Sequence, residues 1–225
     1  AVMSGVNDVV LAGGVQIMTK IPIGSSALAG NAFGFKDPVS TSHGWTGRYG
    51  DAVPSQFVGA QMMADHWGFS RDDLEVYSLE SHRRAIQAMK EGRFDREIAP
   101  YGDFKMDETA RETSLEQMRT LDPIFGLKSI TAGVASQTCD AASAMIIASE
   151  AAVKRYGLKP RARVHHMSVR GEDPIMMLAA PIVTTRHALK KTGMKMSDID
   201  LVEINEAFAP VPMAWLKELD YPHAQ

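Results

Sequence analysis

The chain has 225 residues, 45% of them hydrophobic and 23% charged, which suits one large globular domain or parts of two. A formal net charge of -3 argues against nucleic acid as a partner, and no apolar run approaches the roughly 20 residues that span a bilayer. Cys139 is the single cysteine, so an internal disulfide is excluded and a reducing, cytoplasmic setting is expected.

Taken in order, residues 1–5 read as the last turn of a helix stopped by Gly5. Residues 8–12 follow as a short buried strand closed by Gly13-Gly14. A start on the last turn of a helix implies a segment before Ala1, and residues 1–14 lack the charged beginning of a signal peptide. Residues 19–58 are rich in Gly, Ser, Pro and Asn, including Asp37-Pro38, and are expected to form a functional or interface loop. Gln56–Trp67 reads as a helix. Ser70-Arg71-Asp72-Asp73 resembles a capping box that starts another, with Leu74, Tyr77, Ser78, Ser81, Ala85, Ala88 and Met89 on one face and Gly92 at its end.

Residues 98–105 are expected to form a strand and 111–121 a short helix. Residues 144–148 read as a buried strand, followed by a helix capped by Ser149 and stopped at Gly157. Residues 161–169 alternate as a strand, and 181–191 form a helix with proline at its start and Gly193 past its end. Residues 201–204 read as a strand and 205–219 as a helix. Strands alternating with helices imply a layered α/β architecture.

Val202-Glu203-Ile204-Asn205-Glu206-Ala207-Phe208-Ala209 is the most informative segment. Asn205 falls at the carboxyl end of the expected strand, the edge where ligands gather in α/β sheets. There it can cap the following helix, or it can hold a water or a substrate oxygen.

This segment resembles the Asn-Glu-Ala-Phe motif of the thiolase family. Thr131-Ala132-Gly133-Val134-Ala135-Ser136 is similar to that family's Thr-Ala-Gly-x-Ala-Ser segment. The Asp8-to-Gly14 stretch with Met18 resembles its Ala-Gly-Gly strand and turn, and Glu91-Gly92-Arg93-Phe94-Asp95-Arg96-Glu97-Ile98 resembles a segment of its loop domain. Gly171-Glu172-Asp173-Pro174 and residues 197–201 add weaker support. The matches keep family order and cover essentially the whole chain.

The resemblance implies a thiolase-like layered αβαβα fold with an inserted loop domain, truncated at both ends. Residues 1–18 and 138–159 would belong to the N-terminal half, 19–137 to the loop domain and 160–225 to the start of the C-terminal half. It implies an acyl-CoA C-acyltransferase with coenzyme A or acyl-CoA as substrate, no permanently bound cofactor and no metal, acting as a homodimer or homotetramer. Asn205 would hold a water in an oxyanion hole. Ser136 would hydrogen-bond the pantetheine arm, Ala132 would pack against it, and Phe125 would line the same tunnel. Met177 and Phe208 would line the acyl pocket, and Arg111 would meet the nucleotide or its phosphates. From the residues alone, Phe125, Met177 and Phe208 read rather as ordinary core packing, and Arg111 reads equally as surface.

The same resemblance places the nucleophilic cysteine before Ala1 and the Gly-His-Pro histidine and second cysteine after Gln225. The 225-residue chain is therefore expected to be inactive alone and prone to aggregate. A non-catalytic remnant that binds CoA or pairs with a subunit is the alternative. Cys139 does not match the nucleophile segment, and Asp140 beside it is a poor neighbour for a thiolate. His165 and His166 point to opposite faces of the expected strand. His66, His82 and His187 lack partners at metal spacing, and His43, near Trp45 and Tyr49, reads as surface. Pro54-Ser55-Gln56-Phe57 stands where biosynthetic thiolases carry a histidine-methionine pair. That suggests longer or bulkier acyl chains, steroid side chains among them. The Asn-Glu-Ala-Phe segment argues against a sterol-carrier-type thiolase, and the motif pair against a ketoacyl synthase.

Overall fold

The computed structural model describes residues 1–223 except 36, 38 and 40, so Pro38, Ala224 and Gln225 lie outside the described residues. The chain divides into two compact units, residues 1–38 with 138–167 and residues 39–137 with 168–225.

The first unit is built on β1 (Val9–Ile17), followed by α1 (Ser25–Leu28) and a 3-10 turn over Ala29–Phe33. Residues 1–5 form a single turn rather than a helix end, with Gly5 at φ 73°. The expected stop at Gly13-Gly14 is corrected: β1 runs through both glycines to Ile17. A Cβ on Gly13 would lie 2.5 Å from the Ser143 carbonyl oxygen, so this glycine serves close strand approach, not a turn.

β1 pairs antiparallel with β2 (Asp140–Ala148), with Leu11 opposite Ile146 and Gly13 opposite Ala144. The strand expected over 144–148 exists, but it is longer and not buried, because the sheet has two strands and its apolar side chains lie open. Asp140 accepts from the Thr19 amide at 2.9 Å and its hydroxyl at 2.6 Å, and these bonds hold its carboxyl below the usual range. α6 (Glu150–Tyr156) follows as expected, capped by Ser149 and ended by Gly157 in the left-handed region. Among the described residues, 161–169 carry no regular secondary structure, so the expected strand does not form.

The second unit holds the hydrophobic core. In the loop region, α2 (His43–Tyr49) is capped by Ser42, and the Trp45 and Tyr49 rings meet at a tilt, 4.5 Å apart. α3 (Gln56–Trp67) matches its expected bounds and buries Gly59, Ala60, Met63 and Ala64. α4 (Arg71–Lys90) starts on a complete capping box, in which Ser70 Oγ accepts from the Asp73 amide and Asp73 accepts from the Ser70 amide. Gly92 beyond its end has φ 70°. Residues 98–105 form a turn with a single Tyr101–Phe104 bridge instead of a strand, because no third segment pairs with it.

The helix expected over 111–121 is confined to α5 (Leu115–Arg119), which begins at the Ser114 cap. Arg71 ties α5 to α4. Its guanidinium donates to the fully buried Glu75 at 2.7 Å and to the carbonyls of Met118, Arg119 and Leu121. α7 (Ala180–Thr192) carries proline at its start and Gly193 at its end. Among the described residues, 201–204 form no strand, so the one expected there is absent. The last helix, α8 (Pro210–Leu219), starts five residues later than expected, with proline in its first turn.

α3, α7 and α8 form one packed layer. Trp215 of α8 donates to Thr185 of α7 at 2.9 Å, Trp67 of α3 donates to Glu218 at 2.9 Å, and Arg186 donates to the other Glu218 oxygen at 2.6 Å. Ala60, Met63, Ala64, Ile182, Ala214 and Trp215 fill the space between these helices. Burying a side chain the size of Met63 or Ile182 stabilises by roughly 1.5–3 kcal/mol and each alanine methyl by less, and this burial holds the three helices together.

Candidate active site

The two motif segments meet. Ala135 bridges Phe208 in antiparallel fashion, the Ser136 amide donates to the Ala207 carbonyl at 2.9 Å, and the Ala209 amide donates to the Val134 carbonyl at 2.9 Å. This short pairing uses the backbone groups of residues 207–209 that a helix starting at Asn205 would have required. Asn205 is therefore not the cap of α8: Ala209 occupies that place, and Asn205 lies exposed in the preceding loop.

Behind the pairing the 131–136 segment is firmly seated. Thr131 is fully buried, and its hydroxyl accepts from the Gly133 amide at 3.2 Å. Gln61 of α3 accepts through one oxygen from the Lys128 amide, the Ser129 amide and the Ser129 hydroxyl. Ala132 and Ser136 remain exposed on this seated loop, available to a ligand.

Phe57 of α3 joins the apolar candidates. Its ring meets Phe125 edge-on at 5.2 Å and Phe208 at 5.3 Å. Phe208 is buried, whereas Phe125 is 83% exposed. Phe125 and Met177 have φ of 52° and 41°, in a region that non-glycine residues rarely adopt. Such strain costs on the order of 1–3 kcal/mol and concentrates at ligand sites. The Met177 turn is built by Asp173, whose side chain accepts from the Ile175 and Met176 amides at 2.8 Å and whose carbonyl accepts from the Met177 amide at 2.7 Å. It packs onto α3 at Gly59, where a Cβ would lie 2.6 Å from the Met176 carbonyl oxygen.

Arg111 reaches the same region through Gln137, the residue after Ser136. Its guanidinium donates to Gln137 Oε1 at 3.4 Å, and Gln137 in turn donates to the Thr109 carbonyl. The Arg111 amide points at His82 Nδ1, 3.4 Å away. Burial first, and the Arg111 charge second, hold His82 below the usual histidine range, so it is neutral and able to accept.

Glu206 follows Asn205 and was given no role by its residue type alone. The Tyr77 hydroxyl donates to one of its oxygens and the Ser81 hydroxyl to the other, each at 2.6 Å. Burial, then the bond to Glu206, push the Tyr77 phenol well above its ordinary value, so it remains a donor throughout the neutral range. The sequence signal was faint: Tyr77 and Ser81, one turn apart, share their helix face with Ser78 and with apolar residues. Tyr77, Ser81, Asn205 and Glu206 line an open cleft of about 340 Å³ together with Trp215 and His223. Tyr77 and His223 stack at 4.8 Å.

Cys139 is half-buried in the first unit, just before β2. His43 is exposed at the start of α2. Among the described residues no group of three or more His, Cys, Asp or Glu side chains is placed to hold a metal, and no helix is long and apolar enough to cross a membrane.

Comparison with known proteins addresses the whole chain. The family model for the thiolase N-terminal domain matches residues 1–151, and that for the thiolase C-terminal domain matches residues 158–225. The chain is 52% identical over 223 residues to steroid 3-ketoacyl-CoA thiolase FadA6 of Mycobacterium tuberculosis, covering 97% of this chain and 55% of that protein. It is 37% identical over 231 residues to the 3-ketoacyl-CoA thiolase of Photorhabdus laumondii, covering 97% of this chain and 56% of that one. The solved structure of human mitochondrial 3-ketoacyl-CoA thiolase in complex with CoA superposes with a TM-score of 0.80 at 34% identity, over 95% of this chain and 56% of the human one. The chain thus spans about half the length of the relatives it matches. With both family models matched in order and a shared fold, the chain belongs to the thiolase family.

Proposed function

We propose that this chain forms the substrate-binding centre of a 3-ketoacyl-CoA thiolase, an acyltransferase that cleaves 3-ketoacyl-CoA with CoA or runs the reverse Claisen condensation. The observation that carries this reading is the pairing of residues 134–136 with 207–209, which sets the segment of Ser136 against that of Phe208, with Asn205 two residues before the pairing. In the proposed division, residues 1–18 and 138–159 belong to the N-terminal half, 19–137 to the loop domain and 160–225 to the C-terminal half. A cytoplasmic homodimer or homotetramer completes the reading.

Chemically, thiolysis and condensation pass through states with negative charge on a thioester oxygen, and oriented donors stabilise that charge. Asn205 carries an amide able to fix a water at such an oxygen. Ser136 offers a hydroxyl to the pantetheine arm, with Ala132 as its small, close neighbour. Phe125 lines the arm's tunnel, Phe208 and Met177 line the acyl side, and Arg111 meets the nucleotide phosphates. Strained backbone at Phe125 and Met177 supports a ligand-facing role for both. The name of the Mycobacterium relative, with the Phe57-centred aromatic cluster, supports a bulky, steroid-derived acyl group.

The test is thiolysis by the full gene product, with acetoacetyl-CoA compared against 3-ketoacyl-CoA substrates carrying long-chain or steroid side chains. Asn205→Ala is expected to lower kcat by about 10²–10³, the usual loss for one oxyanion-hole element, with CoA affinity retained. Wild-type turnover in that variant would defeat the assignment of Asn205, and turnover restricted to acetoacetyl-CoA would defeat the bulky-substrate reading.

A further inference from the structure

The chemistry assigned above uses Asn205 and leaves its neighbour Glu206 without work. Both carboxylate oxygens of Glu206 are nevertheless occupied, Oε1 by the Tyr77 hydroxyl and Oε2 by the Ser81 hydroxyl, at 2.6 Å each. The two donors are four residues apart on α4, one helical turn, a spacing that matches the bite of a single carboxylate. A carboxylate held at both oxygens cannot swing, and hydrogen bonds to an ionised acceptor are roughly twice as strong as neutral ones.

The next residue is pinned from another direction, because the Ala207 carbonyl accepts from the Ser136 amide at 2.9 Å. The loop carrying Asn205 has no regular secondary structure of its own to fix it. Its position is set by these contacts.

We infer that Glu206 is a positioning residue, whose clamp on Tyr77 and Ser81 fixes the backbone that presents Asn205. The inference rests on the reading of Asn205 as the holder of the oxyanion water. Glu206 acts through Asn205 and touches no substrate, so its loss misplaces a donor without removing a binding contact.

The experiment compares Asn205→Ala, Glu206→Gln, Tyr77→Phe, Ser81→Ala and the Asn205→Ala/Tyr77→Phe double variant in the full gene product. Misplacement of a catalytic group by about 1 Å costs up to roughly 10²-fold, so Glu206→Gln and Tyr77→Phe should lower kcat by about 10- to 100-fold. KM for CoA should stay within about twofold, as when an interaction is lost only in the transition state. The double variant should be no slower than Asn205→Ala alone, because both act through one group. Ser81→Ala removes one hydroxyl from a half-buried helix position and guards against simple unfolding. In it, exchange of the Ser136 and Ala209 amides, the donors of the pairing, should rise about tenfold while α4 keeps its protection.

If Asn205→Ala is slow while Glu206→Gln and Tyr77→Phe keep wild-type kcat, the positioning role is overturned and the Asn205 reading stands. Multiplicative losses in the double variant would also overturn it. If Asn205→Ala keeps wild-type kcat, the reading of Asn205 fails and takes the positioning role with it.

Discussion

Gly59 lies inside α3, where glycine ordinarily costs about 0.5–1 kcal/mol relative to alanine. Alanine there would be expected to stabilise the helix, yet its Cβ would stand 2.6 Å from the Met176 carbonyl oxygen. The contact is with backbone, which cannot rotate away as a flexible side chain would. Overpacking of this kind costs about 1–3 kcal/mol, which outweighs the helix gain. Gly59→Ala should therefore lower the thermal midpoint and shift the strained Met177 turn; an unchanged or raised midpoint would show that the turn does not depend on this approach. The residue scale also shows what a sequence hides. Asn205 and Ser136 could be singled out through the motifs they sit in, but the partners that fix Glu206 lie 129 and 125 residues away. No local pattern carries such a pairing. Phe57 was legible only as a departure from other thiolases, whereas its contacts make it the joint between Phe125 and Phe208.

The helices read from the sequence were legible because their ends are chemically marked, whereas α2, although capped by Ser42, lies in the stretch expected to be loop. Ser55, Ser70, Ser114 and Ser149 each accept from a backbone amide of the first turn, and Gly68, Gly157 and Gly193 close helices in the left-handed region. Strands carry no such marks, since a strand exists only when a distant segment pairs with it. Among the described residues, 98–105, 161–169 and 201–204 form no named strand, while β1 found its partner beyond the Gly-Gly pair that suggested a stop. The capping box on α4 allows a direct test. Ser70→Ala removes the acceptor for the Asp73 amide and should cost about 1 kcal/mol by denaturant titration. Hydrogen bonds from Ser70, side chain before backbone, hold the Asp73 carboxyl below its ordinary value. Its folded-state value is thus lower than its unfolded one, so the contribution is complete above the ordinary Asp range near pH 4 and fades as pH falls through the lowered value. The difference between wild type and Asp73→Asn should accordingly be present at neutral pH and shrink in acid; a difference constant down to strongly acidic pH would exclude the ionised carboxylate as its source.

At the scale of the whole molecule, apolar surface is distributed unevenly. The core of buried side chains belongs to the second unit, while β1 and β2 of the first carry apolar residues on both faces of a two-stranded sheet. Leu11 and Ile146 are paired across the strands and are 73% and 65% exposed, and Met145, on the opposite face, is 64% exposed. Strands apolar on both faces are the pattern of a sheet covered on both sides, and an isolated pair of strands is marginal in water. This layered pattern was readable as α/β from the sequence; that its strands stand open in this chain was not, because coverage depends on neighbours that periodicity does not name. Contiguous exposed apolar surface of this kind drives association. The 225-residue chain should therefore self-associate at micromolar concentration and bind a hydrophobic dye. Placing Lys at Leu11 and Glu at Ile146 should reduce both effects, because opposite charges directly across an antiparallel pair also favour the pairing, by about 0.2–1 kcal/mol. Light scattering that reports a monodisperse monomer without dye binding would refute the prediction, and association unchanged in the charged variant would move its source away from this sheet.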